Sequence, residues 1–306
     1  MSSTIPIVLF TYARPRHLAS VLEHLKANNV PRICAYSDAP KHESKTEAVQ
    51  AVRKLLRGVD WCDIEIVERT ENYGLGRSIL SGLQEVFSRY EAAIIFEDDL
   101  ICVPGAYNYL CEALRHYHDD FRVMSVTGWT HPKVTPSSVT DQPYFDGRAE
   151  CWVWGTWKRA WSGMETDALT LLQKCEARKI DVAAYGIDLI RMAHTEREKN
   201  IWAVRLILHH LLQGGLCIRP PWSMVEHIGF DQEATNASDS GDWAAPPLRA
   251  CPPVPLTWPI PVLHSECSRL WSQKYPAPQS TSFFRRAISR AKYYFFSAAR
   301  RVLPQF

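Results

Sequence analysis

The apolar positions in the first hundred residues change period in a regular way. Ile5-Pro6-Ile7-Val8-Leu9-Phe10 is a short continuous apolar run, the pattern of a strand buried on both faces. Leu18, Val21, Leu22 and Leu25 then recur at helical spacing across residues 16–28. Arg32 to Tyr36 reads as a second strand that ends in Ser37-Asp38, residues 43–57 as a second helix, and Asp63-Ile64-Glu65-Ile66-Val67 as an alternating third strand. Asn72-Tyr73-Gly74-Leu75-Gly76-Arg77 turns the chain into a helix reaching about Tyr90, and Ala92-Ala93-Ile94-Ile95-Phe96 is a fourth strand. Strands alternating with helices in this way predict an α/β fold, a mostly parallel sheet flanked by helices. The right-handed crossover rule then places residues 11–15, Asp38, residues 72–77 and residues 97–99 on one edge of the sheet, where open α/β sheets bind ligands.

Further along, residues 104–117 predict a helix, 122–128 a strand, 131–143 a loop rich in Pro, Ser and Thr, and 169–178, 187–198 and 201–213 three helices. Leu216 to Pro221 reads as a short strand, residues 225–236 as a polar loop, and the proline-rich stretch 243–262 as an extended wrap. Between these lies Glu150-Cys151-Trp152-Val153-Trp154-Gly155-Thr156-Trp157-Lys158-Arg159-Ala160-Trp161. Its aromatics suit either an acceptor groove, through Trp152, Trp154 or Trp157, or core packing of at least two of its four tryptophans.

The fourth strand ends in three adjacent carboxylates, Glu97-Asp98-Asp99. They repel one another and are stable together only in water or against a cation. This predicts a divalent-metal site that serves a phosphorylated substrate; the alternative is an acidic loop after a core strand. Other chemistries fit poorly. Gly74-Leu75-Gly76 is followed by Arg77, Ser78 and Ile79, so the third glycine of a dinucleotide fingerprint is absent. No P-loop and no GxSxG elbow occurs, and residues 11–15 carry no glycine, unlike the Gly-rich first loop of sugar-phosphate nucleotidyltransferases. Arg14 and Arg77 stand where base or diphosphate would lie, Arg77 at a helix start that favours anions; the alternative is surface arginine. Asp38 either accepts a hydrogen bond from a uracil N–H or caps a turn.

The series Phe10-Thr11-Tyr12-Ala13-Arg14-Pro15, Glu71-Asn72-Tyr73-Gly74-Leu75-Gly76, Phe96-Glu97-Asp98-Asp99 and Trp152 to Trp157 resembles GT-A glycosyltransferases, in particular bacterial family-2-type sugar transferases of polysaccharide clusters. Asn200 to Arg205 and His227-Ile228-Gly229-Phe230-Asp231 resemble the same group. More distantly, Glu97-Asp98-Asp99 and Cys217-Ile218-Arg219-Pro220 are similar to Golgi N-acetylglucosaminyltransferases that act on mannose. The resemblance covers residues 5–240. It implies a Rossmann-like GT-A domain over residues 1–270, a nucleotide-sugar donor, most simply UDP-linked, Mn²⁺ or Mg²⁺, and inversion at the anomeric carbon. Asp99 is then the direct metal ligand with Asp98 beside it, while Glu97 and Asp98 contact ribose or donor sugar. Thr11, Tyr12, Arg14, Asp38, Asn72 and Arg77 complete the donor edge, although Asn72 also suits a plain turn. An inverting transferase needs a carboxylate base at the acceptor hydroxyl, and Glu150 is the first candidate, followed by Asp188 and Asp231. The chain departs from the pattern twice. Ala203 and Val204 offer no acid where the Golgi enzymes carry one, and Asn236 stands where family members place a His, so His227 is the candidate substitute ligand.

Composition narrows the setting. A formal net charge of +2 gives no general pull toward nucleic acid, and no nucleic-acid partner is expected. Nine dispersed cysteines without CxxC pairs suggest reduced thiols in a cytosolic compartment. Residues 283–303 hold six basic residues, no acidic one, and an apolar face of Phe284, Ile288, Ala291, Phe295 and Val302. Residues 271–306 therefore read as a basic amphipathic tail that meets an anionic membrane surface, the alternative being a packed or partner-docking helix. The whole predicts a sugar transferase on the inner face of a bacterial cell membrane, acting on a lipid-linked or growing polysaccharide acceptor. A sugar-phosphate nucleotidyltransferase and a non-catalytic nucleotide-sugar-binding scaffold are the rivals.

Overall fold

The predicted alternation is present in the computed structural model of the chain, which describes residues 4–164, 167–199, 201–230, 248–254 and 257–277. Strands β1 (Ile7–Thr11), β2 (Arg32–Ser37), β3 (Asp63–Glu68) and β4 (Ala92–Glu97) alternate with helices α1 (Pro15–Ala27), α2 (Thr46–Arg57) and α3 (Gly74–Val86). The four strands pair in parallel in the order β3-β2-β1-β4, with Val8 opposite both Cys34 and Ile95. β1 is buried along its whole length because its side chains enter two cores in turn. Ile7 and Leu9 join Leu18 and Val52 of α1 and α2, whereas Val8 and Phe10 join Ile79 and Leu83 of α3. A Cβ on Gly82 would lie 2.8 Å from the Phe10 ring, so glycine there lets α3 close onto the sheet.

The chain continues through β5 (Leu100–Cys102), α4 (Ala106–His116), β6 (Val123–Thr127), β7 (Tyr144–Asp146), β8 (Trp154–Trp157), α5 (Lys158–Trp161), α6 (Ala168–Ala177), α7 (Asp188–Lys199), α8 (Ala203–Gln213), β9 (Leu216–Arg219), β10 (Val225–His227) and α9 (Cys267–Lys274). The complete sheet runs β3-β2-β1-β4-β8-β6-β9-β7, with β8 and β7 antiparallel to their neighbours. The mostly parallel α/β class is thus as predicted.

Four elements differ from the sequence expectation. The tryptophan segment contains a central strand, β8, that sends Trp154 into the α3 core and Trp157 into the α1 core. β7 and β10 lie in stretches too short to show a period of their own; β10, expected as loop, pairs with β5 as an antiparallel ribbon that sets His227 opposite Leu100. α9 was not anticipated, and its Trp271 is buried in the core.

The chain up to Tyr275 forms one compact unit. The expected amphipathic segment 283–303 lies outside the described residues, as do Asp231 and Asn236. Among the described residues no helix is long and apolar enough to cross a membrane.

Candidate functional site

β4 delivers the carboxylates to the carboxyl edge of the sheet. Glu97 ends β4 opposite Phe10, and Asp98 and Asp99 form the turn into β5. The Tyr12 backbone N–H donates to Asp98 Oδ2 at 2.8 Å, and Arg14, at the start of α1, forms an ion pair with Asp99 Oδ2. The other Asp99 oxygen, Oδ1, is buried without a hydrogen-bond partner, a costly state for a carboxylate in a protein interior.

Donor chemistry here fits a hard divalent cation, which takes oxygen ligands and is commonly held by one or two carboxylates plus water and phosphate oxygens. Among the described residues no group of three or more His, Cys, Asp or Glu is arranged to hold a metal. Asp99, with Asp98 beside it, is the pair that would hold the ion. His227, the expected further ligand, lies beside Asp99. Its Nε2 lies 3.6 Å from Asp99 Oδ2, but Nδ1 accepts the Gly229 N–H at 3.1 Å, which leaves the ring proton of the neutral imidazole on Nε2. The nitrogen facing Asp99 is therefore a donor. Burial lowers the His227 pKa and so favours the neutral ring, although Asp99 opposes the shift. A Cβ on Gly229 would fall 2.5 Å from Asp99 Oδ2, so this glycine lets the β10 loop close over the carboxylate.

The rest of this edge is joined by hydrogen bonds. The Asp38 N–H donates to the Thr11 carbonyl at 3.0 Å, Asn72 Nδ2 donates to the Ala39 carbonyl at 2.7 Å, and the Tyr12 hydroxyl accepts the Lys41 N–H at 2.9 Å. The Asp38 carboxylate accepts the backbone N–H groups of Ala39, Tyr73 and Gly74 at 2.8–3.1 Å. It therefore ties the loops before α2 and α3 together, which is the capping alternative rather than a group free for uracil. Arg77 is exposed, 3.8 Å over the Tyr73 ring, and Arg69 lies 4.2 Å over the same ring.

On the other side stands Glu150, half-buried, with Oε1 accepting the Cys151 N–H at 2.9 Å and Oε2 3.6 Å from Arg219 Nη1. Burial raises the Cys151 thiol pKa, and the charges of Glu150 and Glu97 raise it further. Arg219 is fully buried. Its Nε sits 3.0 Å from Asp146 Oδ2, which also accepts the Trp271 indole N–H at 2.8 Å. Sequence reasoning did not assign this network, although an arginine within the apolar strand Leu216-Cys217-Ile218-Arg219 is itself a signal of a buried pair. Asp188 is not brought to the edge as a free base. Both its oxygens are engaged by Arg148, at 2.7 and 3.0 Å, in a buried pair at the start of α7.

Neither a family model nor a curated protein matches this chain. Among solved structures, a mannosyltransferase from Pyrobaculum calidifontis in complex with GDP-Man and Mn²⁺ aligns at 15% identity and TM-score 0.40, over 53% of this chain and 48% of its own. The match thus spans about half the length of that enzyme. A 4-diphosphocytidyl-2C-methyl-D-erythritol synthase from Anaerococcus prevotii aligns at 12% identity and TM-score 0.34, over 59% of this chain and 80% of its own. A UDP-glucose pyrophosphorylase complexed with UDP-glucose aligns at 15% identity and TM-score 0.27, over 48% of this chain and 64% of its own. Similarities this distant carry no functional argument, so the functional reading rests on the site's own geometry.

That geometry makes stability depend on pH. Burial and the charge of Asp99 push Glu97 up to about 8 and Asp98 up to about 7. Carboxyls in the unfolded chain titrate near about 4, so the folded state binds these protons more tightly, and stability falls as the pH rises from about 4 toward 8. In chelator, the melting temperature is expected to fall as the pH is raised from about 5 to about 8, and to fall less in Glu97→Gln. An identical pH slope in the variant would show that Glu97 is not titrating in this window.

Proposed function

We propose that this chain is a metal-dependent glycosyltransferase of GT-A type that transfers a sugar from a nucleoside diphosphate donor, most simply UDP-linked, to a lipid-linked or growing polysaccharide acceptor. The observation that carries the reading is the partnerless, buried Oδ1 of Asp99, set beside Arg14 at the ligand-binding edge of the sheet. A bound divalent cation would neutralise charge on the leaving diphosphate. The chain's own groups supply the rest. Arg14 donates to diphosphate oxygens, Asp98 is held in place by the Tyr12 amide, and Glu150 is aimed by Arg219 to take the proton from an acceptor hydroxyl.

Chromatographic analysis separates this reading from its rivals. With Mn²⁺ and a panel of nucleotide sugars and glycan acceptors, a transferase releases nucleoside diphosphate and elongates the glycan. Pyrophosphate released from a nucleoside triphosphate and a sugar phosphate would instead identify a nucleotidyltransferase, and binding without either product a scaffold. The basic segment 283–303 is proposed to tether the enzyme to an anionic membrane, raising the local concentration of a lipid-linked acceptor. Full-length protein should sediment with anionic vesicles and protein ending at residue 279 should not; equal sedimentation of both would refute the tether.

A further inference from the structure

Next to the carboxylates lies a set of aromatic rings that the steps above do not use. We propose that Trp152, His227 and Phe230 form a stacking subsite for a neutral pyranose ring. The assignment of that ring to acceptor or donor rests on the transferase reading; the stacking itself does not.

Trp154 and Trp157 are fully buried and half-buried Trp161 packs on Trp154 and Phe87, whereas half-buried Trp152 turns toward the carboxylate edge through His227. Buried Trp129 supports the Trp152 ring edge-on at 5.1 Å, and Arg219 stacks 5.8 Å from Trp129, which fixes the orientation of this seat. On another side the Trp152 ring meets His227 at 4.9 Å and Phe230 at 5.9 Å, and His227 and Phe230 stack at 4.2 Å with 29° between their planes. All three rings are half-buried and come from two separate stretches, the approach to β8 and the end of β10. Independent stretches of backbone therefore converge on one small aromatic surface.

Its surroundings specify the ligand. His227 Nε2 reaches toward Asp99 Oδ2 at 3.6 Å, and Glu150 lies two residues before Trp152. A pyranose has an apolar C–H face and a rim of hydroxyls. The C–H face suits aromatic rings, whose faces are partly negative, and the hydroxyls suit carboxylate acceptors at the edge of such a surface. An acyl chain would offer no hydroxyl to the unpartnered Asp99 Oδ1, and an anionic sugar would meet the charge of the carboxylates.

Binding of the full-length protein to an array of neutral and anionic glycans, to a nucleoside diphosphate and to its sugar conjugates tests the proposal. Trp152→Ala and Phe230→Ala are each expected to weaken neutral-saccharide binding by about tenfold, the loss of one aromatic contact, and Trp152→Phe to restore most of it. Nucleoside diphosphate affinity should stay within about twofold, and a retained melting transition shows that the fold is intact. Loss confined to free glycans assigns the ring to the acceptor, and loss confined to sugar conjugates assigns it to the donor. If the wild-type protein binds no neutral glycan and does not distinguish a nucleoside diphosphate from its sugar conjugates, the subsite is refuted. It is also refuted if both alanine variants keep wild-type saccharide affinity. Failure of nucleotide binding alone would count against the transferase reading and leave the stacking result standing.

Discussion

Asp99→Asn is expected to lower turnover by about a thousandfold or more, because the cation it would hold supplies several kcal/mol to the departure of the diphosphate. The fold should survive. Substitution removes one of three mutually repelling carboxylates and so relieves Glu97 and Asp98, both of which are raised in pKa by the Asp99 charge. The cost is the ion pair with Arg14, whose side chain is partly exposed. Steady-state kinetics beside a thermal melt check the expectation: activity is lost and the melting temperature is nearly unchanged. A variant that keeps more than about a tenth of wild-type turnover, less than 1.4 kcal/mol of lost stabilisation, would place the ion elsewhere.

Arg219→Met should have the opposite signature, a large loss of stability. Arg219 and Asp146 are both fully buried, and Asp146 also accepts the Trp271 indole N–H. Removing the guanidinium leaves a buried carboxylate without its counter-charge, which costs about 3–5 kcal/mol. Urea denaturation measures this directly. The double variant Arg219→Met with Asp146→Asn is expected to recover part of the loss, since the unpaired charge is then absent. A single variant within about 1 kcal/mol of wild type would show that the pair contributes little to the native state. The same network supports Glu150 through Arg219 and reaches α9 through Trp271, so the end of the compact unit and the candidate base share one set of buried contacts.

How legible all this is in the sequence depends on the range over which each signal acts. β1, β2 and β4 are short, mainly apolar runs and β3 alternates, with amphipathic helices between them, and once this order is seen the crossover rule brings Tyr12, Arg14, Asp38, Asn72 and Asp99 to one edge without any side-chain information. Trp154-Gly155-Thr156-Trp157 is different. Its four residues show no distinctive period, and its place between β4 and β6 is set by long-range pairing, Ile94 to Gly155 and Val126 to Gly155. Gly155 hints at the close packing it serves, because a Cβ there would meet Leu114 at 2.9 Å. Side-chain roles were less legible still. Asp38 and Asp188 look alike in sequence as polar residues near helix starts, yet one accepts three backbone amides and the other is locked to Arg148. His227 was placed near the carboxylates by order alone. Only the β5–β10 register and the Gly229 amide show that it presents a proton to Asp99, not a lone pair.

The central claim is that the Glu97 to Asp99 edge binds a nucleoside diphosphate with a divalent cation. The most direct measurement is the thermal midpoint of the full-length protein against nucleoside diphosphates and nucleotide sugars, with and without Mn²⁺. Ligand at about a hundred times its dissociation constant stabilises the native state by about 2.7 kcal/mol, which is readily seen as a shift. A rise that needs both Mn²⁺ and one class of nucleotide, and that disappears in Asp99→Asn, is the predicted result. No shift with any nucleotide, or the same shift without metal and in Asp99→Asn, would contradict the claim and return the three carboxylates to an acidic turn after a core strand.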